Sequence, residues 1–466
     1  MISLTLREIA ATVGGRLTDP AESDTTVAGS VQTDSRLVTP GSIFFALPGA
    51  TTDGRVFADQ AVGNGAVLIV AEHEIDVAVP VIVVADGVAA LADLAREVVA
   101  RVRALGRLRV VAVTGSNGKT TTKNMLRAIL SAQGPTVAPE ASFNNHVGAP
   151  ISMLRVDEGT RFLVVEMGAS HRGEIAHLVS IAQPDVGVVL AVGRAHVGEF
   201  GGIAAVARAK AEMVTHLPAT AIAVLNSNDR RVTAMAGQTA ASVRWFGRNE
   251  GPGVRAWNVR SDLAGTGFDL VIDERIIGVR LRIVGEHHAM NAVAALAASQ
   301  ALGVDADQAV AALEAMPRAE RWRMEMLTST SGAVIINDAY NASPESMNAA
   351  LHALTAVVPK GARSVAVLGE MTELGATAPA EHSGIGDLVV SMGIERLVVV
   401  GQRARDIYEA AAGTPSWRGS AQFVADADEA FALLSAELGP DDVVLVKSSN
   451  SANLRFLGDR LAGVAP

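Results

Sequence analysis

The stretch that decides the fold is Val110-Val111-Ala112-Val113-Thr114-Gly115-Ser116-Asn117-Gly118-Lys119-Thr120-Thr121. Its first half is an apolar, β-branched run typical of a buried strand, and its second half is a glycine-rich turn that carries a lysine and hydroxyl groups. Such a turn lets backbone N–H groups converge on phosphate oxygens, while the lysine adds a positive charge and the Thr120 hydroxyl can reach a magnesium ion. The sequence therefore predicts a strand, a phosphate-binding loop and then a helix over residues 124–132.

The general pattern of such loops, G-x-x-x-x-G-K-[ST], has a glycine where this chain has Val113. An ordinary glycine-rich turn between a strand and a helix is therefore the alternative interpretation. We favour the phosphate loop, because Gly118 and Lys119 stand directly between a buried-strand pattern and a helical pattern, which is the context that the motif requires.

The composition indicates a multidomain protein. A chain of 466 residues exceeds what one hydrophobic core usually serves, and 49% hydrophobic residues supply material for several cores. The net charge of −10 argues against nucleic acid as a partner, and the lack of cysteine excludes disulfides, thiolate metal sites and a cysteine nucleophile. The N-terminus has no targeting pattern, and no apolar run approaches membrane-spanning length. We therefore expect a cytoplasmic monomer without membrane insertion.

Strand-like and helix-like runs alternate along the chain, which predicts an α/β protein of three domains. A small N-terminal α/β domain covers residues 1–107, and a helix over 88–105 is its last element. A central domain of the P-loop type, with a mostly parallel sheet, covers 108–316. Within it, the polar segment 243–284 is predicted to add strands at the sheet edge. A Rossmann-like C-terminal domain covers 317–466.

Glu166 directly follows the strand-like run 162–165, so it lies where a strand stops. Open α/β sheets bind their ligands at the carboxyl ends of the strands. Thr120 and Glu166 together offer the hard oxygen atoms that magnesium prefers. A helix-capping role is the alternative for Glu166, and the phosphate loop in the same domain favours the metal.

His196 and Lys210 gain no role from the sequence pattern alone. His196 lies in a glycine-rich turn after a strand-like run, where a histidine is more often structural. Lys210 lies in a helical segment, where a lysine is usually solvated.

A second group of polar residues follows the strand-like run 334–336 in the C-terminal domain. Ser343 can cap a helix whose first residue is Pro344, which places Asp338 and Asn341 at a strand-to-helix crevice. A carboxylate there could bind a ribose, an ammonium group or a metal-bound water.

Three arginines, Arg318, Arg321 and Arg323, crowd the boundary before this strand. They belong either to a solvated linker or to a clamp on phosphate that forms when a second domain closes over the first. Both interpretations are consistent with the sequence.

Eight parts of the chain together resemble the Mur ligase family of bacterial cell-wall synthesis, across essentially the full length. They are 114–121, 142–150, 166–168, 196–201, 209–212, Asn291, 323–325 and 338–344. The resemblance implies an ATP-dependent amide ligase that joins D-alanyl-D-alanine to UDP-N-acetylmuramoyl-tripeptide through an acyl phosphate, the last cytoplasmic step of peptidoglycan precursor synthesis. The alternatives are another ligase of this superfamily, either the one that adds the third amino acid or a folylpolyglutamate synthase, and a non-enzymatic nucleotide-binding module.

The resemblance also implies roles for individual residues. The catalytic residues would be Lys119, Glu166, His196 and Lys210. Magnesium would be bound by Thr120, Glu166, His196 and, if it is carbamylated, Lys210. ATP would be bound by Thr114, Gly115, Ser116, Asn117, Gly118, Lys119, Thr120, Thr121, Asn291, Arg323 and Asp338. The UDP-linked substrate would contact residues of the N-terminal domain and of one central loop, namely Ser35, Arg36, Gly49, Asp53, Asn144 and Asn145.

Overall fold

The computed structural model describes residues 1–49, 52–140, 142–194, 200–248, 250–318 and 320–464. Three large sheets of five, nine and six strands follow one another along these residues, and a two-stranded ribbon pairs Leu4–Thr5 with Thr26–Val27. Most neighbouring strands are parallel, so the predicted α/β class with largely parallel sheets is confirmed. Each large sheet lies inside one predicted domain, and the domain boundaries themselves stay predictions. Among the described helices, none is both long and apolar enough to cross a membrane.

The first sheet is built from short strands. Across the sheet these are Arg16–Leu17, Val81–Val83, Ala66–Ala71, Ser42–Ala46 and Val31–Gln32, and the helices of this region are Leu6–Thr12, Ala58–Gly63 and Gly87–Ala104. The Asp86 carboxylate caps the last helix by accepting hydrogen bonds from the N–H groups of Val88 and Ala89. This helix packs against the helices Gly148–Met153 and Glu174–Ala182, so the first two regions share one continuous apolar core.

The nine-stranded sheet has seven mutually parallel strands and an antiparallel extension of two more at one edge. Across the sheet the strands are Thr136–Val137, Phe162–Glu166, Arg109–Thr114, Val186–Val189, Ile222–Asn226, Ser242–Arg248, Val254–Asp262, Gly265–Ile272 and Arg275–Leu281. Residues 110–113 are completely buried, as expected for a parallel strand that is covered on both faces. The last four strands arise from the polar segment, which confirms the prediction of edge strands.

The helix after the phosphate loop is longer than predicted. The helices of this region are Lys119–Ser131, Gly148–Met153, Glu174–Ala182, Ile203–Thr215, Arg230–Thr233, His287–Ala301 and Ala306–Glu314. The first begins at Lys119 and not at residue 124. Its first turns are polar, so the apolar periodicity that predicts a helix begins late. Gly118, with a φ of 83°, adopts the left-handed conformation that this abrupt entry into the helix requires.

The third sheet consists of Glu325–Thr328, Val334–Asn337, Asp442–Lys447, Arg363–Leu368, Arg396–Val400 and Ser420–Val424, in this order across the sheet. The first strand is antiparallel to its neighbour and the others are parallel. The helices are Pro344–Val357, Ala378–Ser391, Arg405–Ala412, Ala427–Glu437 and Leu454–Leu461. The predicted helix start is confirmed, because the Ser343 hydroxyl accepts from the Ser346 N–H and Pro344 is the first helical residue.

Candidate functional site

A cavity of about 650 Å³ lies at the carboxyl ends of the central strands, where the central and C-terminal regions meet. Side chains from both regions line it. The central region contributes the phosphate loop from Ser116 to Thr121 together with Asn144, Asn145, Glu166, Lys210, His287, His288 and Asn291. The C-terminal region contributes Arg323, Asp338, Tyr340, Asn341, Glu345 and Lys447. The size lies within the range that is typical of pockets for small molecules and cofactors.

The phosphate loop is anchored to the neighbouring strand end. The Ser116 N–H donates to the Ala191 carbonyl at 2.9 Å, and the Gly193 N–H donates to the Ser116 hydroxyl at 2.9 Å. The Lys119 ammonium folds over the loop and donates to the Gly115 carbonyl at 2.9 Å. Burial lowers the pKa of Lys119, and the nearby Glu166 carboxylate opposes that shift. A half-buried cation beside the backbone N–H groups of the loop favours the binding of an anion.

The Thr114 hydroxyl has a different role from the rest of the predicted ATP-binding set. It is fully buried and donates to the Met167 carbonyl at 2.7 Å, which ties the two central strands together below the loop.

Thr120 and Glu166 lie together, as expected for side chains at the carboxyl ends of neighbouring parallel strands. The Thr120 hydroxyl is 3.3 Å from Glu166 Oε1, and the Asn144 amide donates to the same oxygen at 2.8 Å. The other oxygen, Glu166 Oε2, is buried and has no hydrogen-bond partner among the described residues. A buried carboxylate oxygen without a partner fits a metal ligand, because a carboxylate left in this state is costly.

The described residues contain no group of three or more His, Asp or Glu side chains arranged around one point. Few protein ligands suit magnesium, which keeps water and substrate phosphates as further ligands. His196, predicted as a metal ligand, lies outside the described residues.

Lys210 is buried and lines the cavity, which excludes the solvated position that its sequence context suggested. It lies on the helix Ile203–Thr215. Burial and then the nearby Lys119 charge lower the pKa of Lys210 to about 7. Glu212, two residues further along the same helix, accepts hydrogen bonds from the Gly173 and Ala176 N–H groups and so has a structural role.

Asn291 lies beside the loop. A Cβ at Gly118 would approach Asn291 Oδ1 to 2.4 Å, so the glycine is required by this contact as well as by its φ. The Asn291 amide is 3.3 Å from His288 Nδ1. Burial lowers the pKa of His287 to about 4 and that of His288 well below its usual value, so both rings are neutral at pH 7. Sequence reasoning missed this histidine pair, although its place one helical turn before Asn291 is a usable signal.

Asp338 binds an ammonium group, one of the three partners that the sequence allowed. Its Oδ2 accepts from Lys447 Nζ at 2.6 Å, and its Oδ1 accepts from the Met324 N–H at 3.1 Å. Lys447 also donates to the Asn341 carbonyl at 3.0 Å. Burial lowers the pKa of Lys447, and Asp338 opposes that shift. Both oxygens of Asp338 are therefore engaged within the protein.

The three boundary arginines separate into two groups. Arg323 lines the cavity, with its guanidinium 4.3 Å from the centre of the Tyr340 ring. Arg318 and Arg321 instead form ion pairs with the buried Glu325, at 2.8 and 3.1 Å. Of the three, Arg323 is therefore the one positioned to contact a ligand in the cavity.

The residues predicted to contact the UDP-linked substrate lie in two different places. Asn144 and Asn145 line the cavity, whereas Ser35, Arg36, Gly49 and Asp53 lie in the first region, outside the described cavity lining. Ser35 donates to Gln60 at 2.7 Å, Arg36 pairs with Asp34, Asp53 pairs with Arg55, and the Gly49 N–H donates to the Thr52 carbonyl. Of the predicted ATP-binding set, the residues that line the cavity are Ser116 to Thr121, Asn291, Arg323 and Asp338, and these four residues of the first region lie apart from them.

Three family models match the chain in consecutive segments. They are described as Mur ligase family, catalytic domain, over residues 28–109; Mur ligase middle domain, over 113–299; and Mur ligase, glutamate ligase domain, over 322–450. Together they cover most of the chain.

Individual relatives match along their whole length. A Mycobacterium tuberculosis protein named UDP-N-acetylmuramoyl-tripeptide–D-alanyl-D-alanine ligase is 42% identical over 502 aligned positions, which cover 99% of this chain and 98% of the relative. The crystal structure of MurF from Acinetobacter baumannii superposes with a TM-score of 0.88 at 30% identity and covers 99% of both chains. MurF from Thermotoga maritima in complex with ADP has a TM-score of 0.81 at 28% identity and covers 94% of this chain and 97% of its own.

Proposed function

The chain belongs to the Mur ligase family, and on that premise we propose that it is the ATP-dependent ligase that joins D-alanyl-D-alanine to UDP-N-acetylmuramoyl-tripeptide. The observation that carries the proposal is one cavity that holds the phosphate loop, Glu166 and Lys210 on one wall and Arg323 on the other. The names of the relatives and the ADP complex of one of them support both the substrates and the nucleotide.

The proposed reaction has two steps. A carboxylate oxygen of the tripeptide attacks the γ-phosphorus of ATP, which releases ADP and leaves an acyl phosphate. The amine of D-alanyl-D-alanine then attacks the acyl carbon, loses a proton and expels inorganic phosphate as the amide forms. The protein must bring two anions together, so positioning and charge neutralisation by Lys119, Arg323 and the loop N–H groups supply most of the acceleration.

The residues fit a magnesium ion in this cavity. Thr120 and Glu166 would hold it, because Glu166 Oε2 is buried without a partner and the Thr120 hydroxyl is directed to the same carboxylate. When bound, the ion neutralises charge on the phosphates of ATP. His196 stays a prediction as a ligand to a second ion.

Lys210 is proposed to be carbamylated. Its neutral amine would attack carbon dioxide, form an N–C bond and lose a proton, which converts a cation into an anionic oxygen ligand for magnesium. Support comes from its burial in the cavity wall and from its lowered pKa, because a neutral amine is the form that reacts.

The first region is proposed to bind the UDP end of the precursor through Ser35, Arg36, Gly49 and Asp53. Asn144 and Asn145 would contact the same substrate nearer to the reacting carboxylate, since they line the cavity beside Glu166. Asn291 is proposed to lie near adenine. The reaction would complete the pentapeptide precursor in the cytoplasm.

The proposal is tested by measuring ADP release from the purified protein with ATP and magnesium. We expect continued release over many turnovers only when tripeptide precursor and D-alanyl-D-alanine are both present, with the pentapeptide product detected by mass spectrometry in equal amount. L-Alanyl-L-alanine serves as the matched control for the second substrate. ADP release that requires neither substrate would contradict the proposal. Ligation of glutamate to a folate in place of this product would also contradict it.

A further inference from the structure

Glu345 carries a buried carboxylate oxygen that the proposed mechanism does not use. It lies in the first turn of the helix Pro344–Val357, on the C-terminal wall of the cavity. Its Oε1 accepts a hydrogen bond from the Arg194 N–H, across the junction with the central region, at 2.9 Å. Its Oε2 is buried and has no partner among the described residues. A carboxylate oxygen in this state is costly unless a donor reaches it when the cavity fills.

The carboxylate lies beside the phosphate loop. A Cβ built on Gly193 would be 3.2 Å from the Glu345 carboxyl carbon and 3.4 Å from Asn117 Nδ2, so the three residues are in contact around one point. The Ser343 hydroxyl, two residues earlier, donates to Asn117 Oδ1 at 3.3 Å. The C-terminal helix therefore presents Glu345 to the side of the cavity next to the phosphate loop, where the part of a nucleotide that adjoins its phosphates would lie.

The chemistry of a nucleotide limits what can meet this oxygen. An ionised carboxylate only accepts hydrogen bonds and repels phosphate, so the donors available on ATP are the ribose hydroxyls and the 6-amino group of adenine. The ribose is the donor-bearing part next to the phosphates. Asp338, the other carboxylate on this wall, already accepts from Lys447 and from the Met324 N–H with its two oxygens.

We propose that Glu345 Oε2 accepts a hydrogen bond from a ribose hydroxyl of the bound nucleotide, so that Glu345 discriminates against nucleotides that lack this hydroxyl. The inference rests on the proposed ATP site. Because Glu345 Oε1 holds the Arg194 backbone at the same time, one side chain then links the nucleotide to the contact between the two regions.

The chain offers a matched control in Glu381. This residue pairs with the Arg194 guanidinium at 2.5 Å, so it holds the same residue of the central region from the same C-terminal region. Glu381 is not part of the described cavity lining. Loss of Glu381 weakens the contact between the regions without removing a group that faces the nucleotide.

The experiment is calorimetric titration of the full chain with ADP, 2′-deoxy-ADP, 3′-deoxy-ADP and an ADP analogue that lacks the 6-amino group. We expect wild type to bind one of the deoxy compounds about 10-fold more weakly than ADP, as expected for a hydrogen bond to a charged group. Glu345→Ala should bind ADP about 10-fold more weakly than wild type and show no further loss with that deoxy compound. Glu381→Gln should keep the wild-type ratio between ADP and the deoxy compound.

Three results would overturn the inference. The first is equal affinity of wild type for ADP and both deoxy compounds. The second is a loss of affinity in Glu345→Ala that is the same for every nucleotide. The third is a Glu345→Ala variant that loses its discrimination against the analogue without the 6-amino group and keeps its discrimination against the deoxy compounds. Glu345→Gln keeps the shape of the side chain and takes the place of the alanine variant should that one unfold; its weaker amide acceptor should also reduce the discrimination. If none of the nucleotides binds, that result would instead count against the proposed ATP site. The titration measures nucleotide binding alone, so its outcome does not depend on whether the protein ligates the proposed substrates.

Discussion

Replacement of Lys119 by alanine is expected to lower kcat/KM on the order of 10³-fold, because one preorganised cation is removed from the transferring phosphoryl group. Lys119 begins the helix that follows the loop, and its ammonium already lies over the loop, 2.9 Å from the Gly115 carbonyl. The described hydrogen bonds of its ammonium go to the Gly115 and Ser116 carbonyls of the same loop, so the fold should remain intact. Steady-state ADP release and circular dichroism measure the two expectations.

Lys360 provides the control, since it lies exposed in a turn of the C-terminal region and is not part of the described cavity lining. Lys360→Ala should keep wild-type turnover. Near-normal turnover in Lys119→Ala would reject the assignment of residues 114–121 as the phosphate loop.

Lys210→Met is expected to lower kcat about 100-fold or more, because the proposed carbamate supplies charge at the cavity wall. Methionine has a similar length and needs no solvation, so burial favours the variant and its stability should not fall.

Wild-type enzyme depleted of carbon dioxide should also lose turnover and regain it with bicarbonate. Because the pKa of Lys210 is lowered to about 7, the neutral amine prevails above pH 7 and protonation prevails below it. At a fixed concentration of dissolved carbon dioxide, the recovery should therefore be greater at pH 8 than at pH 6.

The carbamate can be observed directly by NMR of protein equilibrated with ¹³C-labelled bicarbonate. A carbamate signal in wild type that is lost in Lys210→Met supports the modification. Full activity of the methionine variant, or turnover that is indifferent to carbon dioxide at both pH values, would contradict it.

Much of the fold is predictable because its strands are buried on both faces. Residues 110–113 and 163–165 form uninterrupted apolar runs, and such runs indicate parallel strands with little ambiguity. Two strands of the third sheet, Glu325–Thr328 and Ser420–Val424, were not predicted. Both lie at the edges of that sheet and contain polar residues, so neither shows a continuous apolar run.

The site is predictable where sheet topology alone determines it. Thr120 and Glu166 follow neighbouring parallel strands, so the fold class already implies their proximity. The pairing of Asp338 with Lys447 joins residues 109 positions apart, and the contact between Glu345 and Arg194 depends on how two sheets face each other. No local sequence pattern encodes contacts between residues that lie so far apart along the chain.

The central claim is that a triphosphate bound at the phosphate loop transfers its γ-phosphoryl group to the terminal carboxylate of the tripeptide. The most direct measurement uses precursor with ¹⁸O in that carboxylate and follows the inorganic phosphate by mass spectrometry during ligation. The account predicts one ¹⁸O atom in phosphate for each amide formed, because the bridging oxygen of the acyl phosphate departs with the phosphorus. Inorganic phosphate free of label, formed in step with the amide, would contradict it.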